Sequence, residues 1–163
     1  MRKAAECVPR EELAVVLERR RAGGEKIVFA NGCFDVLHVG HVRYLRAARE
    51  LGDCLVVAVN TDESARKLKG PGRPFTPLSE RLEILSALSC VDYLTTFGED
   101  TAEATLCVLK PHIQAKGTDY TERNVPERKV LVEWGGRVEI VGDPKTHSST
   151  EIGSRRDGRN THR

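Results

Sequence analysis

A chain of 163 residues, 39% hydrophobic and 31% charged, has the size and apolar content of one ordered domain with a sizeable core. Its formal net charge of +2 is close to balance, so charge gives no reason to expect a nucleic-acid partner. Five scattered cysteines without a C-x-x-C pair read as reduced thiols, and neither a leader-like apolar core nor a run of about 18 apolar residues is present, so a soluble cytoplasmic protein is expected.

Residues 9–22 predict a helix. Pro9 suits its first turn, Glu11 and Glu12 its N-terminal end, and Arg19, Arg20 and Arg21 its C-terminal end before Gly23 and Gly24 stop it. A narrow apolar stripe of Leu13, Val16 and Leu17 makes residues 1–24 a helical packing arm, with the arginines as a solvated helix end. Residues 26–30 (KIVFA) then read as a buried strand, NGCFD as a tight turn, and HVGHVRYLRAAREL as a helix whose first turn carries His38 and His41. A glycine at Gly32 lets the backbone approach a ligand, and the unpaired N–H groups of a helix start favour an anion. Histidines three apart share one helix face, where they can donate to phosphate. Two other readings stay open here: a metal pair, although zinc helices space their ligands four apart, and a structural pair with one ring capping and one packed.

Residues 54–60 (CLVVAVN) form an apolar run suited to a central parallel strand, ending in Asn60-Thr61-Asp62. An acid there could hold the ribose of a dinucleotide, but N-G-C-F-D stands where G-x-G-x-x-G would be required, and no P-loop occurs. Residues 65–77 (ARKLKGPGRPFTP) read as a cationic loop, its Gly and Pro residues forbidding a regular element. Lys67, Lys69 and Arg73 either contact phosphate from the ligand-binding side of the sheet or are merely solvated. Residues 78–88 predict a helix, 91–95 a strand, and 101–109 a helix with a capping-box-like start. Residues 112–115 predict a strand running into Lys116-Gly117-Thr118-Asp119, where glycine after lysine suggests close approach to a ligand and a surface turn is the plain alternative. Residues 124–134 predict a helix and 138–141 a last strand. Ser148, Ser149 and Thr150 open a short helix as caps or as a phosphate-holding start, and residues 154–163 form a disordered tail. Strand-helix alternation implies a Rossmann-like α/β fold, a doubly wound parallel sheet of about five strands in one domain spanning 25–153.

The segment GCFDVLHVGH resembles the G-x-F-D-x-x-H-x-G-H signature of the nucleotidyltransferases that join a nucleoside monophosphate to a phosphorylated alcohol or sugar and release pyrophosphate. Together with LGDCLVVAVNTD, LKGPGRP, the KGTDY turn, WGGRVEIV and HSSTEI, it is similar to the adenylyltransferases of ADP-heptose synthesis over roughly residues 11–152. That family acts on D-glycero-D-manno-heptose 1-phosphate and ATP, on the way to lipopolysaccharide or related glycans. The resemblance implies His38, His41 and Lys69 as catalytic groups. It implies nucleotide contacts from Asn31, Gly32, Cys33, Phe34, Gly40, Lys116, Gly117, Asp119, Ser148, Ser149 and Thr150. Asp35, Asn60, Asp62, Lys67 and Arg73 are the expected substrate and phosphate-loop residues. It further implies Mg²⁺ carried on ATP with no protein-held metal, a separate sugar kinase acting earlier, and no membrane partner, and leaves a homodimer open. Departures are Cys33 in place of a hydroxyl residue, Thr118 where K-G-G-D-Y is commoner, and T-H-S-S-T for G-x-S-T-T. The signature is shared by cytidylyltransferases for glycerol 3-phosphate and similar alcohols, and a nucleotide-binding module without turnover is the non-enzymatic alternative.

Overall fold

Strict alternation of apolar residues along two adjacent strands decides the layers of this fold. In the computed structural model, which describes residues 3–144 and Ile152, strands β2 (Ile27–Gly32) and β3 (Cys54–Asn60) pair in parallel with Ile27 opposite Cys54 and Gly32 opposite Val59. Ile27, Phe29, Cys54, Val56 and Ala58 face one side and pack with Leu13 and Leu17 of helix α1 (Arg10–Ala22) and Leu106 and Leu109 of α5 (Glu103–Leu109). Val28, Ala30, Leu55, Val57 and Val59 face the other, against Leu45 and Ala48 of α2 (Val39–Glu50) and Leu85 of α4 (Leu78–Ser86). Burial on both faces is why these strands carry no polar alternation.

The remaining elements are β1 (Glu6–Cys7), α3 (Asp62–Lys69), β4 (Tyr93–Phe97), β5 (Ile113–Lys116), α6 (Arg128–Leu131) and β6 (Arg137–Ile140). The sheet is wholly parallel in the order β1-β4-β3-β2-β5-β6. From β2 the chain winds outward through β3 to β4, then crosses back to lay β5 and β6 on the other side. The winding therefore reverses between β2 and β5, opening a crevice above their carboxyl ends.

The doubly wound parallel sheet is as expected, with six strands among the described residues where about five were expected. The additional strand is the edge pair β1, which pairs Glu6 with Tyr93 and Cys7 with Leu94, so residues 1–24 supply a sheet edge as well as a packing helix. The arginine run is not simply solvated: Arg20 donates to Glu25, and Arg21 donates to the carbonyls of Leu109 and Lys110, satisfying the C-terminal end of α5. Residues 65–77 are not all loop. Helix α3 runs through Lys69, because Thr61 caps it by accepting from Ser64 N–H and the glycines and prolines begin only at Gly70. Residues 124–134 are helical only over α6 and a following 3₁₀ turn, Val132–Trp134. At α5 the residue before the helix, Ala102, has no side chain to cap with, and Thr101 Oγ1 instead accepts from Glu103 N–H at 3.5 Å. The expected tail lies outside the described residues.

Candidate active site

The helix that follows β2 is capped by its own histidines. His38 is the N-cap of α2, not part of its first turn, with extended backbone at φ −136° and ψ 173°. Its Nδ1 accepts from Gly40 N–H at 3.1 Å, while His41 Nδ1 accepts from His38 N–H at 3.3 Å. This reciprocal capping box uses backbone donors that the sequence reading assigned to a ligand, so the rings, rather than those amides, become the polar surface of the helix start. An imidazole that accepts at Nδ1 carries its proton on Nε2, which fixes the tautomer of both. The rings stack with centroids 4.0 Å apart, and Phe34 meets His41 edge-on at 5.4 Å.

Three residues make this packing possible. A Cβ at Gly40 would stand 2.8 Å from His38 Cε1, so only glycine lets that ring fold back. Phe34 adopts φ 48°, a left-handed conformation costing about 1–2 kcal/mol, which turns its ring over Gly32. A Cβ at Gly32 would meet that ring at 3.2 Å, so the glycine makes room for Phe34.

Above the carboxyl ends of β2 and β5 lies a cavity of about 510 Å³. Asn31, Gly32, Cys33, Phe34, Asp35, His38, Gly40 and His41 line its middle, Asn60 and Lys69 one end, and Lys116, Gly117 and Asp119 the other. The structure thus brings together most of the residues singled out in the sequence. Asp62, Lys67 and Arg73 are not on this wall, and Ser148, Ser149 and Thr150 lie outside the described residues.

Those off the wall have other partners. Arg73 is buried, its Nε 2.6 Å from Asp35 Oδ2, and its guanidinium lies 4.4 Å from the centre of the Phe75 ring; the expected phosphate-loop cation is a buried ion-pair member. Burial pushes the Asp35 carboxyl up, but hydrogen bonds from Thr76 N–H and Arg73, with the arginine's charge, hold it below its ordinary value. Lys67 pairs with Glu63 on the exposed face of α3. Asp62 accepts from Leu78 N–H and from Arg81.

Arg81 is one residue that the sequence does not single out as functional. It is 0% exposed, and its guanidinium donates to the carbonyls of Cys33, Asn60 and Thr76 and to Asp62 at 2.6–3.0 Å. One side chain thereby ties the ends of β2 and β3 to the loop before α4, holding in place Cys33 and Asn60, which line the cavity. The signal was available: in α4 Arg81 falls on the helical face of Leu78, Leu82 and Leu85, and a charge on an apolar face needs buried partners.

At the far end, Lys116 is buried, not a surface cation on a turn, and Tyr44 O–H donates to Ala115 O at 2.6 Å, fastening α2 to β5. Thr118 Oγ1 donates to Asp143 O at 2.8 Å, and Arg43 pairs with Asp143, closing that wall. Burial raises the Cys33 thiol, with Lys69 and Arg81 drawing it only part of the way back, so it is a neutral lining group. Among the described residues no cluster of three or more His, Cys, Asp or Glu is arranged to hold a metal, and no helix is long and apolar enough to cross a membrane.

Comparison with known proteins agrees with this geometry. Residues 29–155 match the family model described as cytidylyltransferase-like. The chain is 51% identical over 143 residues to the bifunctional protein HldE of Pelobacter propionicus, covering 88% of this chain and 29% of that protein. With the protein of the same name from Hahella chejuensis it shares 48% over 142 residues, 87% of this chain and 30% of the other. The chain therefore spans about three-tenths of the length of these curated relatives. The crystal structure of the lipopolysaccharide core biosynthesis protein from Thermoplasma volcanium GSS1 superposes with a TM-score of 0.63 at 33% identity, covering 76% of this chain and all of that one. Signature, switch-point cavity and family match agree, and the chain belongs to the cytidylyltransferase-like family of nucleotidyltransferases.

Proposed function

We propose that this protein is an adenylyltransferase that transfers AMP from ATP to D-glycero-D-manno-heptose 1-phosphate, giving ADP-heptose and pyrophosphate. The observation that carries the reading is the pair of tautomer-fixed histidines at a helix start, in a cavity with Lys69 at one end and Lys116 at the other. A sugar phosphate oxygen attacks the α-phosphorus in line, charge builds on the α-phosphoryl oxygens and the departing pyrophosphate, and no covalent enzyme intermediate is needed. His38 and His41 donate from Nε2 to the phosphates, and preorganised donors of this kind need no reorganisation as the charge develops. Lys69 approaches from the end of α3, and Ser148, Ser149 and Thr150 hold the outer phosphates.

Of the cavity's carboxylates, Asp35 is held by Arg73 and Asp143 by Arg43, and Asp119 alone would make no cage, so the residues present fit a Mg²⁺ that would arrive with its own phosphate ligands. Bound in that way, the ion would neutralise charge on the triphosphate. An earlier phosphorylation, by a kinase activity, supplies the sugar 1-phosphate, and a homodimer is the assembly to test by light scattering.

The family description, cytidylyltransferase-like, keeps one alternative in view, CTP as the nucleotide, with glycerol 3-phosphate or a similar phosphorylated alcohol as its acceptor. The phosphate site sees only what all nucleoside triphosphates share, whereas likeness to the HldE proteins extends over most of the chain. Pyrophosphate release measured across nucleotides and phosphorylated acceptors tests the choice. Turnover with ATP and heptose 1-phosphate is expected at least about tenfold above CTP with the same acceptor, about 1.4 kcal/mol in transition-state binding. A better rate with CTP and glycerol 3-phosphate would overturn the heptose assignment, and nucleotide binding without turnover for any pair would favour a silent binding module.

A further inference from the structure

Behind the cavity stands a buried carboxylate that the reaction as described does not use. Glu127, the residue before α6, is 3% exposed, and its Oε2 lies 3.9 Å from Lys116 Nζ with no hydrogen-bond partner among the described residues. Lys116, at the carboxyl end of β5, lines the cavity, and its ammonium lies 4.9 Å from the centre of the Tyr120 ring. Burying two opposite charges is costly unless they close to hydrogen-bonding contact, as Arg73 and Asp35 do at 2.6 Å. Glu127 and Lys116 stop short of that distance. The carboxylate is near enough to favour the charged ammonium without binding its protons, which leaves the ammonium donors for a third group on the cavity side.

We propose that Glu127 is a positioning residue that keeps Lys116 ionised at the cavity wall, so that the ammonium receives an anionic group of a bound substrate. This deepens the nucleotidyl-transfer reading and rests on it for the identity of the anion. Glu127 faces Lys116 from the start of α6, and Asp119 and Tyr120 from the turn after β5; Tyr44, Arg43 and His41 of α2, its N-cap His38, and Lys69 of α3 share the cavity wall. Burial pushes the Lys116 ammonium below its ordinary range, and Glu127, then Asp119, opposes that push. Without the Glu127 charge, Lys116 loses its proton at lower pH, and binding that needs the proton is lost with it.

The test is the titration of Lys116 in full-length protein carrying carbon-13 at lysine Cε, with the resonance identified by its absence from Lys116→Arg. In Glu127→Gln the midpoint is expected to fall by about one pH unit or more, as loss of a close opposite charge does, and the alkaline limb of kcat/KM to move with it. In Lys116→Arg, whose guanidinium stays charged, that limb is expected to vanish, and adding Glu127→Gln should shift nothing further. A rise in KM confined to ATP, or to heptose 1-phosphate, names the substrate that supplies the anion. Glu127→Asp, which keeps the charge one methylene back, is expected to hold both the midpoint and KM near those of the parent; a raised KM with an unmoved midpoint counts against the proposal even where the Gln variant fails to fold. An unmoved midpoint in folded Glu127→Gln, or a moved midpoint with an unmoved limb, overturns it. If the parent protein turns over no pair, the transfer reading falls separately, and inorganic pyrophosphate then decides: it must raise the Lys116 midpoint, or the proposal falls too.

Discussion

His38 and His41 each hold the helix start with Nδ1, accepting from Gly40 N–H and from His38 N–H respectively, and on the proposed reading Nε2–H of each ring is the donor to phosphate. A second proton at Nδ1 would displace that cap, which supports hydrogen-bond donation to phosphate as the role proposed for these rings. Replacing His38 or His41 by Ala should lower turnover by roughly a hundred- to a thousandfold, about 2.7–4 kcal/mol, the usual cost of losing one preorganised donor. Stability should fall by only about 0.5–2 kcal/mol, the range for a lost N-cap. Gly40→Ala should act on the same ring, because the new Cβ, 2.8 Å from His38 Cε1, displaces a mobile side-chain end and not backbone. Rates set beside thermal melts check all three variants, and near-parent turnover in both histidine variants would remove them from the mechanism.

Helix α3 and the loop after it carry two cations, Lys69 and Arg73, that sequence alone treats alike and the fold separates. Lys69 is exposed at the end of α3 and lines the cavity, so Lys69→Ala is expected to reduce kcat/KM with an unchanged melting temperature. Arg73 is buried against Asp35, so Arg73→Ala leaves an uncompensated buried carboxylate and should cost about 3–5 kcal/mol of stability. Denaturant unfolding of the two variants distinguishes these outcomes; equal and small stability changes would mean that the loop is only a solvated cover.

For the molecule as a whole, the N-terminal segment is part of the core. Leu13 and Leu17 are fully buried between the sheet and α5, and neither lines the cavity at the carboxyl ends of the strands, so Leu17→Ala should destabilise by about 2–5 kcal/mol while kcat stays near the parent value. Acid stability should depend on Asp35. Its folded-state pKa lies below the ordinary 3.8, so its contribution is complete above that value and is lost as pH falls through the lower folded value. Asp35→Asn is therefore expected to be less stable near neutrality and to show a flatter decline below about pH 4, read from unfolding free energy against pH.

Much of this protein was determined by its sequence alone, because the relevant information is local. A continuous apolar run such as CLVVAVN specifies a strand buried on both faces, strand-helix alternation specifies a parallel sheet, and six signature residues within ten place glycine, phenylalanine and both histidines at one strand-to-helix junction. Only the tertiary structure decided which charges are buried and with whom. Arg73 reaches Asp35 across 38 positions, Arg81 reaches the Cys33 carbonyl across 48, and Glu127 reaches Lys116 from a different element. Periodicity reports which face a residue occupies, but the fate of a charge on that face depends on distant groups that only the wound sheet brings within hydrogen-bonding distance. The edge strand β1 was hidden for the same reason: two exposed residues have no pattern of their own and become a strand only through pairing with β4.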